Sequence, residues 1–411
     1  MRVLHVSLWD NRGGAAIAAN RLHCELLEQN LDSHMLVERS TGTTPKTHLI
    51  AKGWQYHLAR LEQKFSGRRG EAQKDHSLFG CSLNDRKNGL LKCIDALDPD
   101  IVHLHWVGGG VLRIEELPKI KRPLVWTLHD MWPVCGSEHY SFDDHERWAH
   151  DYAPELRPKD ATGPDLTRRT WLRKQRAWKN ASVTTVSPSR WMRDCAARSS
   201  LWKERSDCRH LCIPNGLDTS IFTPGDKLGA RNALGLAADA TILLFGAFSM
   251  KGTVKGGDLL VKALDVFRQF GHSAQLVTFG GGDLPDTPGY EVRHFGRFED
   301  PEALVQLYRA ADVMLVPSRL ETFGQTASEA QACGTPVVCF DCSGLKDVVL
   351  DRETGYRAKP YEIHDFAYGI GWALGNTEVK GLSARARDHV VTSFDKARTV
   401  RQHMELYSEL L

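Results

Sequence analysis

Short, nearly continuous apolar runs recur along this chain and alternate with stretches of helical spacing. The runs fall at 3–8, 101–105, 124–129 and 183–186 in the first half, and at 241–248, 274–279, 313–317 and 337–340 in the second. Strands that are apolar on successive positions fit parallel sheets covered on both faces, and parallel strands need helical crossovers. Helical spacing at 15–28, 257–270 and 301–311 supplies crossovers of that kind. The pattern therefore predicts an α/β protein with two doubly wound, Rossmann-like halves in sequence. A chain of 411 residues is also too long for one ordinary core. The seam is expected near 209–224, where Ile213-Pro-Asn-Gly-Leu-Asp218 and Phe222-Thr-Pro224 are rich in turn residues. This gives a first domain at 1–210, a second at 211–394 and a last helix at 395–411.

The most informative single stretch is Glu321-Thr-Phe-Gly-Gln-Thr-Ala-Ser-Glu329, which runs on into Gly334-Thr-Pro-Val-Val338. It reads as strand, loop, short helix, strand. Thr326 is expected to cap the helix, Gly334 to end it and Pro336 to block its continuation. Backbone N–H groups at such a helix start can hold phosphate. Glu321 could then grip sugar hydroxyls on one side of the phosphate and Glu329 a ribose on the other. The alternative is structural: Thr326-x-x-Glu329 is also a capping box, with Glu329 folded back onto a backbone N–H.

Charge and composition narrow the partners. Lys and Arg number 53 against 51 Asp and Glu, a net charge of +2, so no general attraction to polyanions follows and no nucleic-acid partner is expected. No apolar run approaches the roughly 20 residues of a membrane span. The start, Met1 to Trp9, is too short and too quickly polar for a signal peptide, so a cytoplasmic protein is expected. The ten cysteines form no pair of CxxC units, which argues against a structural zinc site. Cys339-x-x-Cys342 stands alone and reads as a redox motif or as two buried free thiols, the second being favoured. Asp98-Pro-Asp100 has the outline of a metal-binding DxD, but the proline and the following strand favour a turn.

Taken together, Pro317-Ser318, Glu321, Phe323-Gly324, Glu329-Ala330 and Gly334-Thr-Pro-Val-Val338 resemble the donor-binding motif of the family 4 retaining glycosyltransferases. The resemblance runs along nearly the whole chain, through Asp100-Ile-Val-His-Leu-His105, His129-Asp130, Ser187-Pro-Ser189, Lys255-Gly256, His294-Phe-Gly-Arg297 and Ala311-Asp312. It implies the GT-B fold, two Rossmann-like domains facing a central cleft, with the last helix crossing back to the first domain. It implies His129, Lys255 and Glu321 in catalysis, with Lys255 offsetting charge on the leaving diphosphate. For the donor it implies Gly14, Lys255, Arg297, Glu321, Phe323, Gly324, Gln325, Thr326 and Glu329, with Arg297 where the base rests. No cofactor or metal is expected beyond the nucleotide-diphosphate sugar itself. One departure is plain: the family often has Arg after the glycine that ends the strand before Lys255, and here Gly246 is followed by Ala247. Lys251 is the nearby basic residue that could replace it.

His129-Asp-Met-Trp-Pro133 with His139-Tyr140 is similar to members that build bacterial exopolysaccharide or surface glycans. The acceptor so implied is a saccharide, in particular a lipid-linked oligosaccharide. Trp106, Trp126, Trp132 and His139-Tyr140 could stack on it or could pack in the core. The basic stretch 168–179, with Trp171 and Trp178, reads either as a peripheral contact with an anionic membrane or as an exposed helix with both tryptophans inward. Two other functions stay open: a GT-B sugar-nucleotide epimerase, against which the Glu321 and Glu329 spacing argues, and a non-catalytic nucleotide-sugar-binding partner, against which intact His129, Lys255, Glu321 and Glu329 argue.

Overall fold

The computed structural model describes residues 1–51, 73–74, 78–142, 146–203, 205–250, 252–282, 284, 286–377 and 381–411. Lys251 lies outside the described residues. The chain divides into two compact units, 1–213 with 400–411 and 214–399. The helix Lys396–Glu409 begins in the second unit and ends in the first.

The first unit is built on strands β1 (Arg2–Trp9), β2 (Asp32–Arg39), β3 (Thr47–Leu49), β5 (Ile101–Leu104), β6 (Leu124–Thr127), β8 (Thr184–Ser187) and β9 (Arg209–Cys212). They form a parallel seven-stranded sheet in the order β3-β2-β1-β5-β6-β8-β9. Two further strands, β4 (Leu78–Cys81) and β7 (Glu138–Ser141), pair antiparallel with Phe79 opposite Tyr140. Within the stretch 209–224 the division follows Ile213, and Arg209–Cys212 adds the edge strand beside β8. Its polar, half-exposed residues carry no buried-strand signature.

The second unit carries β10 (Ile242–Ala247), β11 (Gln275–Gly280), β12 (Val292–His294), β13 (Val313–Val316), β14 (Val337–Phe340) and β15 (Gly355–Ala358). Their order is β12-β11-β10-β13-β14-β15, all parallel. Successive side chains of a strand point to opposite faces. Accordingly Met314 and Val316 join one core cluster with Val337 and Cys339, while Val313 and Leu315 join the other with Val338 and Phe340. Burial on both faces is what makes β13 and β14 apolar at every position.

Strand order reverses between β1 and β5 in one unit and between β10 and β13 in the other. In doubly wound sheets ligands bind beyond the carboxyl ends of strands at such a switch point. The loops that follow β1, β5, β10 and β13 are thereby marked out.

Candidate functional site

In the second unit the loops after β10 and β13 are tied together. The backbone N–H of Arg319 donates to Val254 O at 2.9 Å, and the Arg319 guanidinium grips the Asp258 carboxylate through two bonds of 2.7 and 2.6 Å. Gly256 lies in the left-handed region at φ 69°, and a Cβ there would sit 1.9 Å from Pro317 O. Only glycine lets the Lys255 turn approach the end of β13 this closely. The result is that Lys255 Nζ lies 2.6 Å from Glu321 Oε1, and Ser318 Oγ donates to the same oxygen at 2.9 Å. The Glu321 backbone is fixed as well: its N–H donates to Ser343 Oγ at 2.9 Å, and its carbonyl accepts from Gly344 N at 2.8 Å.

The helix that follows is Gln325–Ala332, and Gly324, at φ 105°, is its N-cap. The expectation that Thr326 caps the helix is therefore corrected: Thr326 lies inside the first turn, and no side chain caps this end. The capping-box alternative for Glu329 fails with it. Glu329 is buried and accepts from Tyr308 Oη at 2.8 Å through Oε2. Gln325 and Thr326 open the helix. The Phe323 side chain is buried in the core, edge-on to Phe394 with ring centroids 5.1 Å apart, which leaves its backbone to face the loop.

Arg297 stacks on Phe248, its guanidinium carbon 4.3 Å from the ring centroid, and donates to Phe248 O at 3.2 Å. Phe248 is 53% exposed, which leaves an aromatic face at the carboxyl end of β10. Cys339 and Cys342 are both free thiols, and burial pushes the Cys342 thiol up to about 11.

In the first unit His129 follows β6, and its Nε2 lies 3.0 Å from His105 Nδ1. Loss of water around the ring pushes the His129 imidazole down to about 4, against an opposing pull from Asp130. Asp130 is an organiser of its loop. Oδ1 accepts from Trp132 N at 2.9 Å, and Oδ2 accepts from Trp106 Nε1 and pairs with His139 Nδ1, each at 2.5 Å. Trp106 stacks on His139, whereas Trp126 and Trp132 are core residues packed with Trp178. Gly14 opens the helix Gly14–Glu28, directly after Gly13 at φ 85°. In Asp98-Pro-Asp100, Asp98 caps a helix C-terminus and pairs with Arg122, while Asp100 accepts from Arg2 N at 2.6 Å.

The basic stretch forms the helix Leu166–Trp178. Trp171 and Trp178 are buried, bonding through their indole N–H groups to Ser200 Oγ and Ile114 O. They are not surface anchors. Lys174 is buried too, donating to the carbonyls of Trp132, Cys135 and Gly136.

The description "Glycosyltransferase Family 4" matches residues 12–221, and "Glycosyl transferases group 1" matches residues 239–388. The chain belongs to the family 4 glycosyltransferases. A D-inositol 3-phosphate glycosyltransferase of Stackebrandtia nassauensis is 30% identical over 328 residues, 74% of this chain and 67% of that protein. Against other proteins of the same description, at 35–39% identity, the match spans about half the length of the relative. Among solved structures, sucrose-phosphate synthase from Thermosynechococcus elongatus superposes with a TM-score of 0.70 at 22% identity, covering 100% of this chain and 99% of that one. Anabaena Alr3699/HepE in complex with UDP and glucose gives 0.67 at 17% identity with 100% of both chains covered. At these identities the structures speak to the fold, which is GT-B.

For a family 4 glycosyltransferase the structure also adds residues that sequence alone did not single out. Ser343 and Arg319 hold the Glu321 loop, and Tyr308 holds Glu329. Ser318 had been visible as part of the motif but without its bond to Glu321. His105 was visible in the alternation His103-Leu-His105, whose second histidine reaches His129.

Proposed function

We propose that this family 4 glycosyltransferase moves a sugar, with retention of anomeric configuration, from a nucleotide-diphosphate sugar to a hydroxyl of a saccharide acceptor in polysaccharide or surface-glycan synthesis. The observation that carries the reading is the pairing of Lys255 with Glu321 at the ends of two strands flanking a switch point, one turn before a helix start. Lys255 supplies positive charge for the leaving diphosphate. Glu321 accepts from hydroxyls of the transferred sugar, Glu329 from the ribose, and the Gln325 and Thr326 N–H groups face the phosphates. His129 hydrogen-bonds the sugar at the reaction centre. The bond from the anomeric carbon to the phosphate oxygen breaks, and a bond to the acceptor oxygen forms on the same face. The acceptor proton passes to the departing diphosphate. Metal ion is not required, because Lys255 and the helix start neutralise the leaving group.

A UDP-bound neighbour supports a nucleotide-diphosphate donor. The acceptor is a lipid-linked oligosaccharide, and peripheral contact with an anionic bilayer would rest on the exposed Arg169, Arg176 and Lys179 alone, the tryptophans being inside. The name of the relatives supports a second acceptor class, an inositol phosphate. The test is release of nucleoside diphosphate from a panel of nucleotide sugars, with and without oligosaccharide or inositol 3-phosphate. Release that depends on one acceptor supports transfer and names its class. A changed free sugar without acceptor would show an epimerase, and binding with no turnover a non-catalytic partner.

A further inference from the structure

Beneath His129 runs a chain of imidazoles. His5 on β1 stands in register with His103 on β5, and His105 follows on the same face. His5 Nδ1 lies 2.9 Å from His105 Nε2, and His105 Nδ1 lies 3.0 Å from His129 Nε2. His103 is outside the chain because both its nitrogens are taken, by Tyr407 Oη at 2.6 Å and Thr127 Oγ1 at 2.7 Å. His5 is fully buried, and its Nε2 has no partner among the described residues.

That last atom sets the direction of the chain. A neutral imidazole carries one N–H, and each bond needs one donor and one acceptor. If the protons pointed inward, His5 would carry a buried Nε2–H with no acceptor. Orphaned buried donors are the rarer defect. With the bare nitrogen at His5 Nε2 instead, His5 Nδ1–H donates to His105 Nε2, and His105 Nδ1–H donates to His129 Nε2. His129 then has its proton on Nδ1. We infer that His5 and His105 are positioning residues that hold His129 as the Nδ1–H tautomer, a neutral hydrogen-bond donor in place of a proton acceptor.

The surroundings keep the chain neutral. His23 from the helix Gly14–Glu28 meets His5 edge-on at 5.8 Å, and His403 with Tyr407 covers His103 from the C-terminal helix. Asp130, adjoining His129, is the charged group that acts on it among the described residues, and it is occupied by Trp132, Trp106 and His139. Burial depresses His5, His103 and His105 well below the ordinary histidine value.

The role of a donor at His129 rests on the glycosyltransferase reading, but the tautomer does not, and it can be measured without substrate. Ring ¹⁵N spectra of the histidine-labelled protein at pH 7.5, with His129 assigned by its loss in His129→Gln, are expected to show Nδ1 protonated and Nε2 bare. His105→Phe should release this preference. In a transfer assay it should lower turnover about tenfold at nearly unchanged donor KM, and His105→Asn, whose amide can reach His129 as Nδ1 does, should recover most of the loss. A wild-type His129 protonated on Nε2 would overturn the inference. So would stoichiometric transition metal in the purified protein that His105→Phe removes, since His5, His103 and His105 place ring nitrogens within 4.8 Å of one another. If His105→Phe does not fold, the wild-type spectrum alone decides.

Discussion

Lys255 and Glu321 face each other across two loops, Nζ to Oε1 at 2.6 Å, with the lysine 32% and the glutamate 13% exposed. On the proposed reading, a donor that brings phosphate to Lys255 and hydroxyls to Glu321 would exchange one charge-assisted pair for two, and truncating Glu321 would remove both the partner of the lysine and the grip on the sugar.

Lys255→Ala should lower turnover strongly, by tenfold or more if one charge-assisted hydrogen bond of roughly 1.5–3 kcal/mol is lost in the transition state. EDTA should leave wild-type turnover unchanged. Activity lost to EDTA and restored by Mg²⁺ or Mn²⁺ would transfer the role of Lys255 to a metal.

Gly256→Ala tests the approach of the Lys255 turn to β13. The new Cβ meets Pro317 O at 1.9 Å on a backbone at φ 69°. The left-handed conformation alone costs about 1 kcal/mol for a residue with a side chain. A lower melting temperature together with reduced turnover is expected. A variant with unchanged melting temperature and activity would show that the turn is free to move.

Acid should weaken the first unit. His23 and His129 are held at about 4 and His5, His103 and His105 well below their ordinary 6.5, chiefly by burial. The unfolded chain then binds more protons than the folded one at pH below 6.5. Stability is fully present above that value and falls as pH drops through 6.5 toward 4. At one unit below 6.5 each such histidine costs about 1.4 kcal/mol. Melting curves from pH 8 to 4.5 should be flat above about 7 and decline steeply below 6. A flat profile down to pH 5 would mean that the cluster is hydrated.

Much of this fold could be read from the apolar runs, because strands buried on both faces leave a continuous signal: 337–340 coincides with Val337–Phe340, and 313–317 overshoots Val313–Val316 by one residue. Asp32–Arg39, Thr47–Leu49 and Arg209–Cys212 escaped because their polar residues at or near the sheet edge look like loop. At the loop after β13 the residue types marked out a segment, but not the position of each side chain. Their individual jobs depended on backbone geometry: the left-handed Gly324 took the cap position from Thr326, and Phe323 turned inward. The imidazole chain was invisible for a related reason. It joins His5 to His105 across 100 positions, and only strand register brings them together.

Membrane contact is a matter of charge alone once Trp171 and Trp178 are inside. Each basic residue near an anionic surface contributes about 1 kcal/mol. Co-sedimentation with anionic vesicles is expected at low salt. It should vanish at high salt and in Arg169→Gln/Arg176→Gln/Lys179→Gln. Failure of the wild type to sediment would favour a soluble acceptor.

The most direct test of the proposed donor site is a thermal-shift titration of nucleoside diphosphates and nucleotide sugars against wild type, Glu329→Ala and Glu321→Ala. The account predicts that one nucleotide family raises the wild-type melting temperature. Glu329→Ala should lose at least tenfold in affinity for the free diphosphate and the sugar nucleotide alike. Glu321→Ala should keep the free diphosphate and lose the added affinity of the sugar. Equal nucleotide affinity in wild type and Glu329→Ala, or no shift with any nucleotide sugar, would contradict it.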